Sequence, residues 1–165
     1  MKPIPTIFRG ITYHSRLEAR WQCFFDSIKL AAQYEPEGFI LADGTCYLPD
    51  FWLPQVHMFA EVKPEYLTPT EQFKCEGLTV GTHSACLFLI GAPALQAYRA
   101  TTWDCGDVTT ATYSLDIHMH AKQFQAGRLY CEPTYLIPAC PSQFSAEYIA
   151  AVNAARVERF GVEAA

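Results

Sequence analysis

Three side chains between positions 50 and 63 have the chemistry of a metal-dependent hydrolytic site. Asp50 and Glu61 supply carboxylates, and Lys63 supplies an amine two residues after Glu61. The stretch between them alternates apolar residues with turn formers, which predicts two short strands joined by a bend at positions 53–55. Because side chains alternate along a strand, Glu61 and Lys63 share one face. We therefore expect the two acids and the amine to converge from adjacent strands.

These converging charges predict a metal site. They are costly beside a core unless they neutralise one another or hold a cation. Oxygen ligands from Asp50 and Glu61, together with the backbone carbonyl of Val62, suit a hard divalent ion such as Mg2+, with Mn2+ as the alternative. Lys63 would then lie beside a metal-bound water, where it could orient or deprotonate that water or offset charge on a phosphate.

A helix predicted from Ser15 to Leu30 would bring a third acid toward this site. Ser15 fits the N-cap position, and Glu18 three residues later completes a capping-box pattern. At roughly 100 degrees per residue, Glu18 lies at the border of the apolar stripe and could reach over the sheet toward Asp50. The alternative is that Glu18 only caps the helix. The stripe itself consists of Leu17, Trp21, Phe24, Phe25 and Ile28.

The remaining patterns predict an α/β fold. The first helix is followed by an antiparallel meander, a second helix that starts at Thr68 and runs to about Val80, and a strand buried on both faces. A C-terminal extension then ends in a helix that Gly161 closes. The predicted strands are 39–41, followed by a hairpin turn at 43–44, then the pair around the 53–55 bend, 84–90, 98–99, 109–117 and 129–130.

Composition is consistent with one globular domain over residues 1–165, with a core at about 8–95 and an extension at about 96–165. There is no apolar run of membrane-spanning length and no signal-peptide pattern, so we expect a cytoplasmic protein without a membrane partner. The seven cysteines are odd in number and include no C-x-x-C pair, which predicts reduced and mostly buried thiols.

The net charge of -5 is the main compositional objection to a nucleic-acid enzyme. Basic residues nevertheless concentrate in the first thirty positions, and a locally positive groove could lie beside the acidic site. Arg16, Arg20 and Lys74 are the predicted substrate-binding residues at its mouth. For Lys74 the alternative is an ordinary solvated lysine.

The spacing Pro49-Asp50, ten residues, then Glu61-Val62-Lys63 resembles the motif of the PD-(D/E)XK nuclease superfamily. The longer run from Tyr13 to Lys63 is similar to small phage and prophage nuclease-like proteins. The resemblance covers roughly the first 65 to 95 residues. It implies a restriction-endonuclease-like core and Mg2+-dependent hydrolysis of nucleic-acid phosphodiester bonds, in DNA rather than RNA. By this resemblance Asp50 and Glu61 bind metal, Lys63 acts on the water or the phosphate, and Glu18 assists the metal.

Two alternatives stay open at this point. The chain could be a phage-encoded binding protein that keeps the nuclease fold without turnover and acts on a host defence protein. A D-x-H-x-H triplet at Asp116, His118 and His120 is a rival metal pattern that would suit zinc. Whether two copies pair as a homodimer to cut both strands is not determined by the sequence.

Overall fold

A mixed sheet, with seven strands among the residues that the structure describes, lies at the centre of the fold. The computed structural model describes residues 3–104, 106–115, 130–132 and 144–162. The elements in chain order are β1 (Thr6–Phe8), β2 (Ile11–Tyr13), α1 (Arg16–Ser27), β3 (Gln33–Tyr34), β4 (Phe39–Ile40), β5 (Cys46–Tyr47), β6 (Phe51–Leu53), β7 (Met58–Lys63), α2 (Pro69–Thr82), β8 (Ala85–Ile90), β9 (Tyr98–Asp104), β10 (Asp107–Ser114), β11 (Tyr130–Glu132), α3 (Ala146–Val157) and β12 (Gly161–Val162).

The order of strands in the sheet is β11-β10-β9-β8-β7-β6-β3. Among these pairs only β7 and β8 run parallel, and α2 makes the crossover between them. The other neighbours are antiparallel. The fold is therefore mixed α/β with a mostly antiparallel sheet, and three helices occur within the described residues.

The alternation of side chains along β7 and β8 divides the core into two layers. Met58, Ala60 and Val62 belong to a cluster with residues of α1 and α3, whereas Phe59 belongs to a second cluster with residues of α2. Consecutive residues of a strand point to opposite faces, so the sheet separates α1 and α3 from α2. The apolar run 84–90 is buried on both faces, as its composition predicts.

Both N-terminal caps predicted from the sequence are confirmed. The Ser15 hydroxyl accepts a hydrogen bond from the Glu18 N–H at the start of α1. At the start of α2, Thr68 and Glu71 form a reciprocal capping box, with Pro69 in the first turn. These local hydrogen bonds satisfy N–H groups that have no partner inside the helix, so sequence patterns reveal them well.

The hairpin predicted at positions 43–44 forms, but it does not join the meander. β4 and β5 pair with each other in a separate two-stranded sheet. The antiparallel strands beside β7 are β6 and β3 instead. The prediction of one continuous meander was wrong because the chain between β3 and β6 leaves the sheet and folds over the face that carries α2, where Leu41 and Tyr47 enter the second cluster.

The C-terminal half of the described chain continues the same sheet. The strands predicted at 98–99, 109–117 and 129–130 correspond to β9, β10 and β11, although β9 is longer and β10 shorter than expected. Helix α3 packs on α1 and contributes four buried residues to the first cluster. Cys23, Cys75 and Cys86 are buried free thiols, whereas Cys46 is exposed. No helix in the described ranges is long and apolar enough to cross a membrane.

Helix α3 ends at Val157 rather than at a glycine. The chain turns extended at Glu158, and Gly161 begins β12, which pairs with β1. The guanidinium of Arg20 caps this end of the helix, because its Nη1 donates hydrogen bonds to the carbonyls of Ala155 and Arg156, each at 2.7 Å. A cation at this end also opposes the partial negative charge of the helix dipole. The prediction that Gly161 closes the helix was therefore wrong.

We expect Arg20→Ala to lower the free energy of unfolding by about 1–3 kcal/mol, because two charge-assisted hydrogen bonds to the end of α3 are lost. Arg16→Ala is the matched control, since Arg16 is exposed on the same helix and its loss should change stability by less than about 0.5 kcal/mol. Urea denaturation of both variants measures the difference. Equal stability of the two variants would contradict a capping role for Arg20.

Candidate active site

Asp50, Glu61 and Lys63 lie together where β6 begins and β7 ends. Because β6 and β7 are antiparallel and Phe51 pairs with Ala60, the residue before β6 lies opposite Glu61. Asp50 is that residue, and its Oδ2 accepts the Val62 N–H at 2.7 Å. The short connection between the two strands fixes this register, so the spacing of the two acids in the sequence brings them to adjacent positions in space.

The Glu61 carboxylate is held at both oxygens. Lys63 Nζ lies 2.6 Å from Oε1, and the Tyr47 hydroxyl donates to Oε2 at 2.6 Å. Glu61 is only 6% exposed, so both contacts replace water that burial has removed. Tyr47 is itself buried, and its pKa is raised by that burial and by the nearby Cys86, Cys75 and Glu61, which keeps the phenol a hydrogen-bond donor.

The protein groups around Asp50 and Glu61 do not balance the negative charge of both acids. Burial and the charge of Glu61 raise the pKa of Asp50 to about 8, with a smaller contribution from Glu18. The Val62 N–H and the ammonium of Lys63 act in the opposite direction but do not cancel the rise. A divalent cation beside the two carboxylates would remove the repulsion, so the donor set fits a metal ion.

Lys63 remains a cation in this environment. Burial alone would lower the pKa of its amine, but Glu61, Asp50 and Glu71 together raise the pKa above its ordinary value. Glu71 belongs to the capping box of α2 and lies 3.9 Å from Lys63 Nζ. Of the roles predicted for Lys63, the electrostatic ones fit this state: it can orient a water or stabilise negative charge, whereas a protonated amine cannot accept a proton.

Ser15 caps α1 without the reciprocal capping box, because the Glu18 carboxylate accepts the His14 N–H and two hydroxyls instead. Oε1 accepts from the Ser15 hydroxyl at 2.5 Å, and Oε2 accepts from the Tyr34 hydroxyl at 2.5 Å and from the His14 N–H at 3.1 Å. The side chain is 8% exposed. These donors use three of the four lone pairs of the carboxylate and leave one, on Oε1, for a metal. Its connection to the site in the present structure is electrostatic, through the pKa of Asp50.

The three predicted substrate-binding residues lie in different surroundings. Arg16 is exposed in the first turn of α1. Lys74 is half-buried on α2, and its charge helps to lower the pKa of Glu71, to which the hydrogen bonds from Thr68 and the charge of Lys63 contribute more. Arg20 caps α3, and its guanidinium also lies 5.7 Å from the centre of the Phe160 ring. We therefore do not include Arg20 in the proposed substrate surface.

The oxygen ligands predicted for a metal are the two carboxylates and the backbone carbonyl of Val62. No group of three or more His, Cys, Asp and Glu side chains in the described ranges could hold a metal ion by itself. Mg2+ commonly binds through one or two carboxylates and fills its remaining positions with water and substrate phosphate. The set is therefore suitable for Mg2+ or Mn2+. The rival triplet Asp116, His118 and His120 lies outside the described residues.

Two residues at the site were not predicted from the sequence. Tyr47 lies fourteen positions before Glu61 in a separate hairpin, and no local pattern indicates that its hydroxyl reaches β7. Glu71 could have been found, because its capping box places it in the first turn of the helix that follows Lys63. Capping was the only function assigned to that pattern.

Asp50→Asn should stabilise the metal-free protein at alkaline pH. The pKa of Asp50 is about 8 in the folded protein, compared with an ordinary value of 3.8. The folded protein therefore binds this proton more tightly than the unfolded chain does. The resulting stabilisation is complete below about pH 4 and is lost as pH rises to about 8. The neutral amide avoids this loss and keeps an acceptor for Val62. With EDTA present, we expect a gain on the order of 2 kcal/mol at pH 8, or roughly 4–8 °C in Tm.

The pH dependence separates this effect from general stabilisation. The advantage of Asp50→Asn should shrink toward pH 5, where wild-type Asp50 is protonated. Asp104→Asn, at an exposed position of β9, is the control and should show no such trend. A constant difference between pH 5 and pH 9, or a loss of stability at pH 8, would mean that ionised Asp50 carries no penalty.

Comparison of the chain with protein-family models and with curated proteins gives no match. The site is therefore characterised by its own residues: two crowded carboxylates, a lysine that remains charged, and a phenol that holds one of the acids. This combination lies at the junction of two adjacent strands, with the first turns of α1 and α2 each contributing a glutamate nearby.

Proposed function

We propose that this protein is a metal-dependent nuclease of the PD-(D/E)XK type that hydrolyses phosphodiester bonds in DNA. The observation that carries the proposal is the arrangement of Asp50, Glu61 and Lys63. Asp50 directly precedes β6 and lies opposite Glu61 of β7, and the Lys63 amine lies 2.6 Å from Glu61. Two crowded carboxylates beside a retained cation are the groups that metal-assisted hydrolysis of a phosphate ester requires.

Each residue has a separate role in this proposal. Asp50 and Glu61 hold the Mg2+ or Mn2+ ion together with the Val62 carbonyl. The bound ion would supply Lewis-acid stabilisation of charge on the phosphate and would make a coordinated water more acidic. Lys63 keeps its positive charge next to Glu61 and stabilises the negative charge that develops on the phosphate oxygens. Glu61 holds the lysine amine at 2.6 Å, and Glu71 lies 3.9 Å from it.

The surrounding fold is compatible with a restriction-endonuclease-like core. A helix, α1, precedes the antiparallel β6–β7 pair, and the next helix, α2, leads from β7 into the parallel strand β8. This order places a helix before an antiparallel strand pair and a second helix before a buried strand, which supports the proposal. The β4–β5 hairpin is an addition within that order, because it pairs only with itself.

Substitution of Asp50 or Lys63 should abolish cleavage without unfolding the protein. We expect Asp50→Asn and Lys63→Met to reduce plasmid nicking in Mg2+ or Mn2+ by at least about 100-fold, because each removes a group that acts on the metal or the phosphate. Wild-type activity should disappear in EDTA. Supercoiled plasmid, analysed on agarose gels over time, provides the measurement.

The matched controls are Asp104→Asn and Lys29→Met, which make the same chemical changes at exposed positions. Lys29 has a positive φ of 60 degrees, and Met there meets the same backbone constraint as Lys. Both controls should cleave at the wild-type rate. If wild-type protein does not cleave DNA or RNA in either metal, the enzyme proposal fails.

Lys74 should contribute to nucleic-acid binding only through electrostatic attraction to the phosphate groups. It lies on α2 near Glu71, which itself lies beside Lys63. We expect Lys74→Ala to weaken binding equally across DNA sequences and to reduce the slope of log affinity against log salt by about 1. Fluorescence anisotropy at several salt concentrations in Ca2+ gives both values. Binding that does not change with salt, in wild type and variant alike, would argue against a phosphate contact.

A second function is favoured by a different surface. A groove of about 460 Å³ lies between the β4–β5 hairpin, α2 and β10, and its lining is mainly apolar. Ile40 is 80% exposed there and Phe73 is 55% exposed. Exposed apolar surface of this kind often marks a protein interaction site. Under this alternative the chain is a nuclease-fold binding protein without turnover, and it would show neither metal-dependent nicking nor salt-dependent affinity for nucleic acid.

A further inference from the structure

Tyr47 reaches the proposed active site from outside the central sheet. It belongs to β5, whose only pairing partner in the described chain is β4. Its side chain is 7% exposed, and its hydroxyl lies 2.6 Å from Glu61 Oε2 and 3.5 Å from Cys75 Sγ on α2. The phenol thus connects the hairpin, the second helix and the carboxylate on β7.

We propose that Tyr47 is a positioning residue that orients the Glu61 carboxylate for binding of a divalent metal. This inference rests on the proposed function. Lys63 contacts Oε1 and Tyr47 contacts Oε2, so the rotation of the carboxylate plane is fixed while each oxygen keeps a free lone pair. Without the hydroxyl, Glu61 would keep only the contact to Lys63, and rotation of the carboxylate would become easier.

The position of the Tyr47 hydroxyl is itself determined by packing on both sides. The Phe39 ring of the hairpin meets the Phe59 ring of β7 edge to face at 5.3 Å. Leu41 packs so closely on α2 that a Cβ added at Gly77 would lie 3.2 Å from its Cδ1. The hairpin is therefore packed on both β7 and α2. Such support around a ligating group is what keeps its geometry suitable for a metal.

The test is Tyr47→Phe, which removes one oxygen and keeps the ring. Mn2+ affinity is measured on the full chain by electron paramagnetic resonance, in the absence of nucleic acid. We expect the Kd for Mn2+ to rise by about 10-fold to 100-fold, as for other groups that orient metal ligands. Nicking should need correspondingly more Mn2+, with the rate at saturating Mn2+ largely recovered and the KM for DNA unchanged.

Tyr98→Phe is the matched control. Tyr98 is also buried, and its hydroxyl accepts the Ala94 N–H at 3.1 Å and donates to the Ala94 carbonyl at 3.4 Å. Its ring belongs to the first core cluster rather than to the cluster that contains Tyr47. The control loses a buried hydroxyl of the same kind, so it should change Tm without changing the Kd for Mn2+.

The outcomes distinguish this inference from the proposed function. If wild type binds Mn2+ and nicks DNA but Tyr47→Phe binds Mn2+ within about twofold of wild type, the role of Tyr47 is refuted and the nuclease proposal stands. If wild type neither binds Mn2+ nor nicks DNA, both fail. Should Tyr47→Phe not fold, Tyr47→Met replaces it, because methionine adapts to irregular core space and also lacks a donor for Glu61. It should weaken Mn2+ binding by more than about twofold, and unchanged binding would refute the inference.

Discussion

The burial of the Glu61 carboxylate is the constraint on which the candidate site depends. A carboxylate removed from water is costly unless charged or hydrogen-bonding groups replace the lost solvation. Lys63 and Tyr47 provide those groups, one from the same strand and one from the separate hairpin. Asp50 adds a second acid at the facing position, where burial and the charge of Glu61 raise its pKa.

Local interactions explain which parts of the fold the sequence could predict. The caps at Ser15 and Thr68 depend on side chains three residues apart, and both helices start where those patterns indicate. The strand pair containing Asp50 and Glu61 was predicted because a short bend sets its register. These features depend on neighbours in the chain, so tertiary packing confirms them rather than changing them.

Features that depend on distant contacts could not be predicted in the same way. The end of α3 is set by Arg20, more than a hundred residues earlier, and not by the nearby Gly161. The turn residues at positions 43–44 predicted the β4–β5 hairpin correctly. Only packing on α2 determines that this hairpin leaves the central sheet. For the same reason Tyr47 could not be assigned to the site, whereas Glu61 and Lys63, two residues apart on one strand, could be placed on one face.

The pairing of β1 with β12 has a consequence for how the chain folds. It joins Thr6 to Val162, so among the strand pairs of the described structure this one closes by far the longest loop. The β6–β7 hairpin, in contrast, closes a loop of a few residues. Loop closure of distant segments is entropically unfavourable and delays their association. The acids of the candidate site therefore belong to a segment of low contact order, and we expect them to come together before the small β12-β1-β2 sheet is complete.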